Sequence, residues 1–303
     1  MHTTTKRSFL ERLSDQGVLI ADGATATNYH ACGLGLGTAP EQWLFDAPQH
    51  VLELHRAYVE AGADVILTCS FGGTRLRLSH SPALADRPRE VNLRAAELAG
   101  EASDGRALVA GTMGPTGQLL KPLGPLDPAE CTTAFAEQAE ALTEGGVDLL
   151  LIETLYSLEE AVAAIVGTRS ASSLPVVVSF SFDMGGRTMT GLSPTAAVSA
   201  LEGFDVAAVG ANCGDSLDTA DNVARELVAA AGDIPVWIKP NAGKPRIEKG
   251  AVVYDVGPET LALHAQRYVE HGARIVGGCC GSTPGHIEAI SHALGRRGRG
   301  AAV

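Results

Sequence analysis

Basic residues are scarce in this sequence. Lys and Arg number 23 against 35 Asp and Glu, for a formal net charge of -12. Nucleic acid needs a basic face to meet its phosphates, so this balance excludes it as a partner. The one basic cluster, Arg296-Arg297-Gly298-Arg299, lies in a Gly-rich tail and reads as a solvated end. Long apolar runs are also missing. None approaches the ~20 residues of a membrane span, and the first residues, Met1 to Arg12, are polar and charged where a leader would carry an apolar stretch. A cytoplasmic protein with no membrane partner is expected. A His and carboxylate dyad is absent as a pattern: His55, His264 and His286 fall in helical stretches and read as surface or packing residues.

Six cysteines are present, at 32, 69, 131, 213, 279 and 280. Disulfide frameworks belong to small secreted domains, so in a 303-residue chain of this kind cysteines point to metal binding, reactive thiols or core filling.

Eight short β-branched or aliphatic runs recur along the chain, at Val18–Ala21, Val65–Thr68, Leu108–Gly111, Leu149–Ile152, Val176–Ser179, Val206–Val209, Val236–Lys239 and Arg274–Gly277. Each is followed by an amphipathic segment, which predicts parallel strands covered by helices. A joint repeats three times, with Gly62, Gly146 and Gly272 each placed where a helix must stop before the next strand. Eight such units favour one α/β domain over residues 1–303, a (β/α)8 TIM barrel with short flexible ends. Gly33-Leu34-Gly35-Leu36-Gly37 resembles a dinucleotide loop but opens no helix, and reads as a flexible first βα loop.

In such a barrel the chemistry sits at the C-terminal strand ends. Cys213 falls after the sixth run and Cys279-Cys280 after the eighth. Thiolates select zinc, and three protein ligands with a fourth position open make a catalytic site suited to a thiol substrate. Adjacent side chains on a regular strand face opposite ways. Gly277, Gly278 and Gly281 are therefore expected to bend the chain so that both sulfurs turn inward.

Gly210-Ala211-Asn212-Cys213 followed by Gly277-Gly278-Cys279-Cys280-Gly281 resembles the paired zinc motif of the homocysteine S-methyltransferases. Asp22-Gly23-Ala24, Gly62-Ala63-Asp64, Gly111 to Pro115 and Ile152-Glu153-Thr154 follow in the family's order, so the likeness spans nearly the whole chain. It implies Zn2+ on Cys213, Cys279 and Cys280, and homocysteine held by Asp22 and Glu153 through its ammonium. The N–H groups of Gly23 and Ala24 would take the carboxylate. Where relatives carry Thr-Asn-Thr, this chain has Thr68-Cys69-Ser70, which makes Cys69 a buried filler or a fourth ligand.

The expected reaction moves a methyl group from a small onium donor, betaine-like or sulfonium, to the thiolate of homocysteine, giving methionine. Folate and cobalamin domains do not fit in this length, so a corrinoid would arrive on a separate protein. A cation is held by aromatic faces, and Tyr29, Trp43, Phe45 and Tyr156 fall near loops of the active face, with Trp43 read as a donor contact or, equally, as a plain loop anchor. Three alternatives remain: methyl transfer from a corrinoid protein partner, a zinc hydrolase or lyase, and a non-catalytic binding module. The oligomeric state is left open, a homo-oligomer included.

Overall fold

The computed structural model describes residues 8–183, 185–248 and 251–296. The N-terminal stretch through Arg7 and the Arg297 to Arg299 part of the basic tail lie outside them. Arg296 is described, and it pairs with Asp64 and donates to the carbonyl of Val18.

Eight parallel strands form the barrel. They are β1 (Leu19–Ile20), β2 (Val65–Leu67), β3 (Leu108–Met113), β4 (Leu149–Leu155), β5 (Val176–Phe180), β6 (Ala208–Cys213), β7 (Val236–Pro240) and β8 (Ile275–Val276). They run in the order β1-β8-β7-β6-β5-β4-β3-β2. A single parallel bridge between Ala21 and Val65 joins the two ends, flanked by Asp64 N–H donating to Ile20 O at 2.7 Å and Asp22 N–H to Val65 O at 2.9 Å. Each of the eight sequence runs overlaps one of these strands.

Two apolar layers separate along each strand, as its period of two requires. Leu19, Leu67, Leu108, Leu151, Val177 and Trp237 pack in the barrel interior, while Ile20, Ile66, Val109, Ile152 and Val178 pack against the helices. Gly210 makes room for Trp237, since a Cβ there would lie 2.1 Å from the Trp237 carbonyl oxygen.

The eight principal outer helices start on sharp signals. Six open on Pro48, Pro88, Pro128, Pro194, Pro258 and Pro284 at the first helical position, where a missing N–H costs nothing. The other two are capped by Ser157 and Ser216, whose hydroxyls accept the N–H of Glu160 and Thr219. The repeated glycine joint is one structure used three times. Gly62, Gly146 and Gly272 take φ of 105°, 84° and 111°, and the residue after each donates back to Tyr58 O, Leu142 O and Tyr268 O, which ends the helix and aims the chain into the next strand.

Three elements depart from the expectations. The polar N-terminal stretch folds into a helix, Phe9–Gln16, opened by a capping box between Ser8 and Glu11. Its Phe9 and Leu13, four residues apart, are buried with the interior layer. The first βα loop is packed instead of loose: Ala26–Ala31 and Trp43–Asp46 are helical, and Tyr29, Leu34 and Leu44 form a small core with Leu52 and Cys69. After β7, Arg246–Glu248 and Ala251–Val253 pair as an antiparallel hairpin.

Candidate active site

A cavity of about 840 Å3 opens at the C-terminal ends of the strands. Glu153, Lys239, Cys213, Cys279 and Cys280 line it together. The three sulfurs lie within 4.8 Å of one another, with Cys213 Sγ and Cys279 Sγ 3.2 Å apart. Among the described residues this is the one group of three or more His, Cys, Asp or Glu side chains that could hold a metal ion. The donor set fits zinc: three soft ligands, no protein atom of the group in a fourth position, and an open cavity beside them. Cys280 is pushed down to about 3 by hydrogen bonds from Cys213 and Cys279, which outweigh its burial. Cys213 and Cys279 are pushed the other way, Cys213 by the hydrogen bonds it shares with Cys279 and Cys280 and by burial, so the metal-free group holds one thiolate beside two thiols.

The backbone that presents these residues is irregular where it matters. Thr154 and Cys213 both adopt positive φ, 64° and 61°, an unfavourable state for residues with a Cβ. The register between β4 and β5 shifts between Ile152 and Leu155, a local irregularity that spans Glu153 and re-aims side chains at the strand end. Asn212 spans both strained positions. Its Oδ1 accepts the N–H of Thr154 at 2.9 Å and the hydroxyl of Ser179 at 2.6 Å. Its Nδ2 donates to Thr154 Oγ1 at 2.6 Å, and reaches Cys213 Sγ at 3.6 Å and Cys279 Sγ at 3.8 Å. In the sequence Asn212 stands out only as the neighbour of Cys213.

The glycines around Cys279 and Cys280 act differently from the expectation. Only Gly281 takes a positive φ, 80°. Gly277 and Gly278 are needed for close approach, because a Cβ at the first would lie 2.7 Å from Ala21 O and at the second 2.4 Å from Ser282 Oγ. Tyr254, just after the hairpin, lies over Gly281, where a Cβ would meet its ring at 2.2 Å. Nothing in the sequence pattern marked it.

Glu153 is buried at the cavity floor, and burial raises its carboxyl to about 8, with the Lys239 charge opposing the rise. Asp22 is placed otherwise than expected. It does not line the cavity: one carboxylate oxygen lies 2.7 Å from Lys239 Nζ and the other accepts the N–H of Leu67 at 2.7 Å. Each oxygen has one partner in the barrel wall and keeps a further acceptor position. Gly23 and Ala24 do line the cavity, but the Ala24 N–H already donates to Ser282 Oγ at 3.1 Å.

Trp43 is not among the residues that line the cavity. Its ring sits between Tyr29, 5.0 Å away, and His50, stacked at 4.9 Å, so it anchors the first loop. Phe45 packs beneath the Arg87 guanidinium. Burial, followed by the neighbouring Cys213 and Asp183, raises the Tyr156 hydroxyl. The only Phe, Tyr or Trp lining the cavity among the described residues is Phe71. Cys69 lines the cavity but stands outside the three-sulfur group; it is buried with the first-loop core, as a filler would be. His55 is buried with both ring nitrogens unpartnered, and His286 bridges Thr283 and the Val256 carbonyl, so both are packing residues.

Residues 19–294 match the family model described as homocysteine S-methyltransferase. The chain is 32% identical over 297 residues to a methionine synthase of Mycobacterium tuberculosis and 32% identical over 305 residues to that of Mycobacterium leprae. These alignments take in 92% and 95% of this chain but 25% of each relative, so the chain spans about a quarter of the length of the curated relatives it matches. The metallated form of the homocysteine methyltransferase MmuM from Escherichia coli superposes with a TM-score of 0.79 at 25% identity, over 93% of this chain and 98% of that one. Sequence match, shared barrel and the three-cysteine cluster agree, and the chain belongs to the homocysteine S-methyltransferase family.

Proposed function

We propose that this barrel, acting in the cytoplasm as one unit, is a zinc-dependent enzyme that transfers a methyl group from a small onium donor to homocysteine, giving methionine. The observation that carries this reading is the convergence of three cysteine sulfurs with a buried carboxyl and a buried ammonium on one cavity floor. Cys213, Cys279 and Cys280 would hold the metal. When bound, zinc would supply a thiolate from an acceptor thiol that is otherwise mostly protonated at neutral pH.

The remaining work falls to the chain's own residues. Glu153 would take the acceptor's ammonium, and Asn212 holds Cys213 and Thr154 in their strained backbone state. Attack by sulfur on a methyl carbon forms the S–C bond as the C–N or C–S bond of the onium breaks, and the electron pair leaves with the neutral amine or thioether. Opposite charges cancel along this path, so no general acid is required. Phe71, the aromatic ring lining the cavity, replaces Trp43 as the face offered to the cation.

A second reading has an observation of its own. Leu36, Leu119, Leu123, Met189, Ile247 and Val252 are exposed apolar side chains on segments that follow the strand ends, and they would be the contacts offered to a partner protein. A methyl-carrying corrinoid protein would then be the donor. A hydrolase is disfavoured because no His or carboxylate joins the three sulfurs among the described residues.

The test is methionine formation from homocysteine by the zinc-loaded protein with betaine, S-methylmethionine, S-adenosylmethionine or a methyl-corrinoid protein as donor. Methionine from a small onium alone supports the first reading. Methionine only with the corrinoid protein supports the second, and none with any donor rejects both.

A further inference from the structure

Glu41 is a buried acid to which the methyl transfer described above assigns no task. It sits in the first βα loop, on the short turn Pro40–Gln42, and is 3% exposed, yet it lines the same cavity as the three cysteines. Buried charges are ordinarily paired. Among the described residues no cation makes an ion pair with Glu41; the Arg77 charge acts on it only through space. Its hydrogen-bond partner from another residue is the N–H of Gly72, which it accepts at 2.6 Å.

The neighbours of this carboxyl belong to the cavity wall. Gly72 lines the cavity, and a Cβ there would lie 3.0 Å from Glu41 Oε1, so the absence of a side chain lets the acid come close to the turn. Cys69, another lining residue, feels the Glu41 charge. The residue before Gly72 is Phe71, the aromatic ring of the lining. A carboxylate accepts hydrogen bonds at about four positions, and the Gly72 N–H fills one of them. Burial raises the Glu41 carboxyl, and a cation beside it would favour the ionised form.

A quaternary ammonium or a sulfonium has no N–H or O–H to donate, so charge and aromatic faces are what recognise it. An acid and a ring on adjoining parts of one wall supply both. We propose that Glu41 is the counter-charge of the methyl donor, its carboxylate lying beside the onium centre that Phe71 meets with its ring, and that it selects a cationic donor over an uncharged one of the same shape. This rests on the reading of the donor as a small onium compound.

Glu41 also ties the Phe71 and Gly72 turn to the first loop, so its charge must be separated from its hydrogen bond. Glu41→Gln separates them, because the amide oxygen can still accept the Gly72 N–H. The full zinc-loaded chain is titrated calorimetrically without homocysteine, so no methyl group is transferred, and both with and without saturating L-methionine to fill the acceptor's place. The ligands are two pairs of equal shape: betaine against tert-butylacetate, and dimethylsulfonioacetate against isovalerate. In each pair carbon replaces the charged centre. The wild type is expected to bind at least one cation about tenfold or more tightly than its uncharged partner. Glu41→Gln should lose most of that preference and keep its affinity for the uncharged partner.

A carboxyl that only props the turn predicts the same ratio in Glu41→Gln as in the wild type, and that result overturns the proposal. Equal binding within both pairs by the wild type overturns it too. If neither cation binds the wild type under either condition, the small-onium reading fails and the inference falls with it; if a cation is preferred and Glu41→Gln keeps the preference, the inference alone fails. Should Glu41→Gln not fold, a crystal structure of the wild type with the preferred cation decides. An onium centre within about 4–6 Å of the Glu41 carboxylate supports the assignment, and one held elsewhere in the cavity overturns it.

Discussion

Asn212 grips Thr154 at two points, accepting its N–H at 2.9 Å and donating to its hydroxyl at 2.6 Å. The same amide nitrogen faces the sulfurs of Cys213 and Cys279. One side chain therefore ties the end of β4, which carries Glu153, to the end of β6, which carries a candidate metal ligand. Two residues in a left-handed backbone state, each costing ~1–3 kcal/mol, are held by that link.

Asn212→Ala should lower the stability of the metal-free chain by ~1–3 kcal/mol, because it leaves buried partners of the amide unsatisfied. Zinc affinity should fall by ~10–100-fold, the usual effect of removing a group that orients metal ligands. Denaturant unfolding and competition with a chelating dye measure the two quantities. Unchanged zinc affinity would show that Cys213 is held without the amide.

The wild type should carry about one zinc per chain, and Cys213→Ser or Cys280→Ser should lose it while remaining folded. The barrel interior is built from Leu19, Leu67, Leu151, Trp237 and their neighbours, and none of these depends on the sulfurs. Metal analysis with circular dichroism checks both halves. Full zinc in the Cys280 variant contradicts the ligand set.

Much of this arrangement was legible in the sequence, and the reasons differ by element. Parallel strands buried on both faces read as aliphatic runs, which is why all eight were found, and thiols at strand ends point to metal chemistry wherever the fold places them. The Arg246–Glu248 hairpin was not legible because its strand is exposed on every residue and carries no apolar alternation. Phe9 and Leu13 bury only one face of a short polar helix, too weak a pattern beside Glu11, Arg12 and Asp15. The Asp22 and Lys239 pairing joins strand ends 217 residues apart, and no local spacing encodes it. Trp43 was placed in the right loop, but which way a ring points depends on neighbours such as Tyr29 and His50 that meet only in the fold.

Glu153 gives a pH signature in the metal-free chain. Its carboxyl is raised from 4.5 to about 8 by burial. Between these values the folded state holds a proton that the unfolded state has released, so its contribution to stability is present at low pH and is lost as pH rises through about 8. Glu153→Gln stays neutral throughout. The variant should therefore gain on the wild type as pH rises from about 5 to 8, by at most ~1.4 kcal/mol per unit. Parallel pH profiles of the two proteins would falsify the raised carboxyl.

The donor prediction turns on which ring faces the cavity. Phe71 lines it from the loop after β2, and its ring lies against Gly114, where a Cβ would approach to 2.6 Å. Trp43 is outside the lining, in contact with the rings of Tyr29 and His50. A cation on an aromatic face gains ~0.5–1 kcal/mol when exposed and about 2 when desolvated, and Phe71 is 38% exposed. With betaine as donor and no corrinoid present, Phe71→Ala should raise the donor KM by about three- to tenfold, roughly 0.7–1.4 kcal/mol, and leave the homocysteine KM near its wild-type value. Trp43→Ala should instead lower thermal stability, since it removes a packed anchor of the first loop, and change the donor KM little. The reverse pattern, a donor defect in Trp43→Ala alone, would return the cation site to the first loop, and equal shifts in both KM values for Phe71→Ala would make the ring part of the cavity wall with no preference for either substrate.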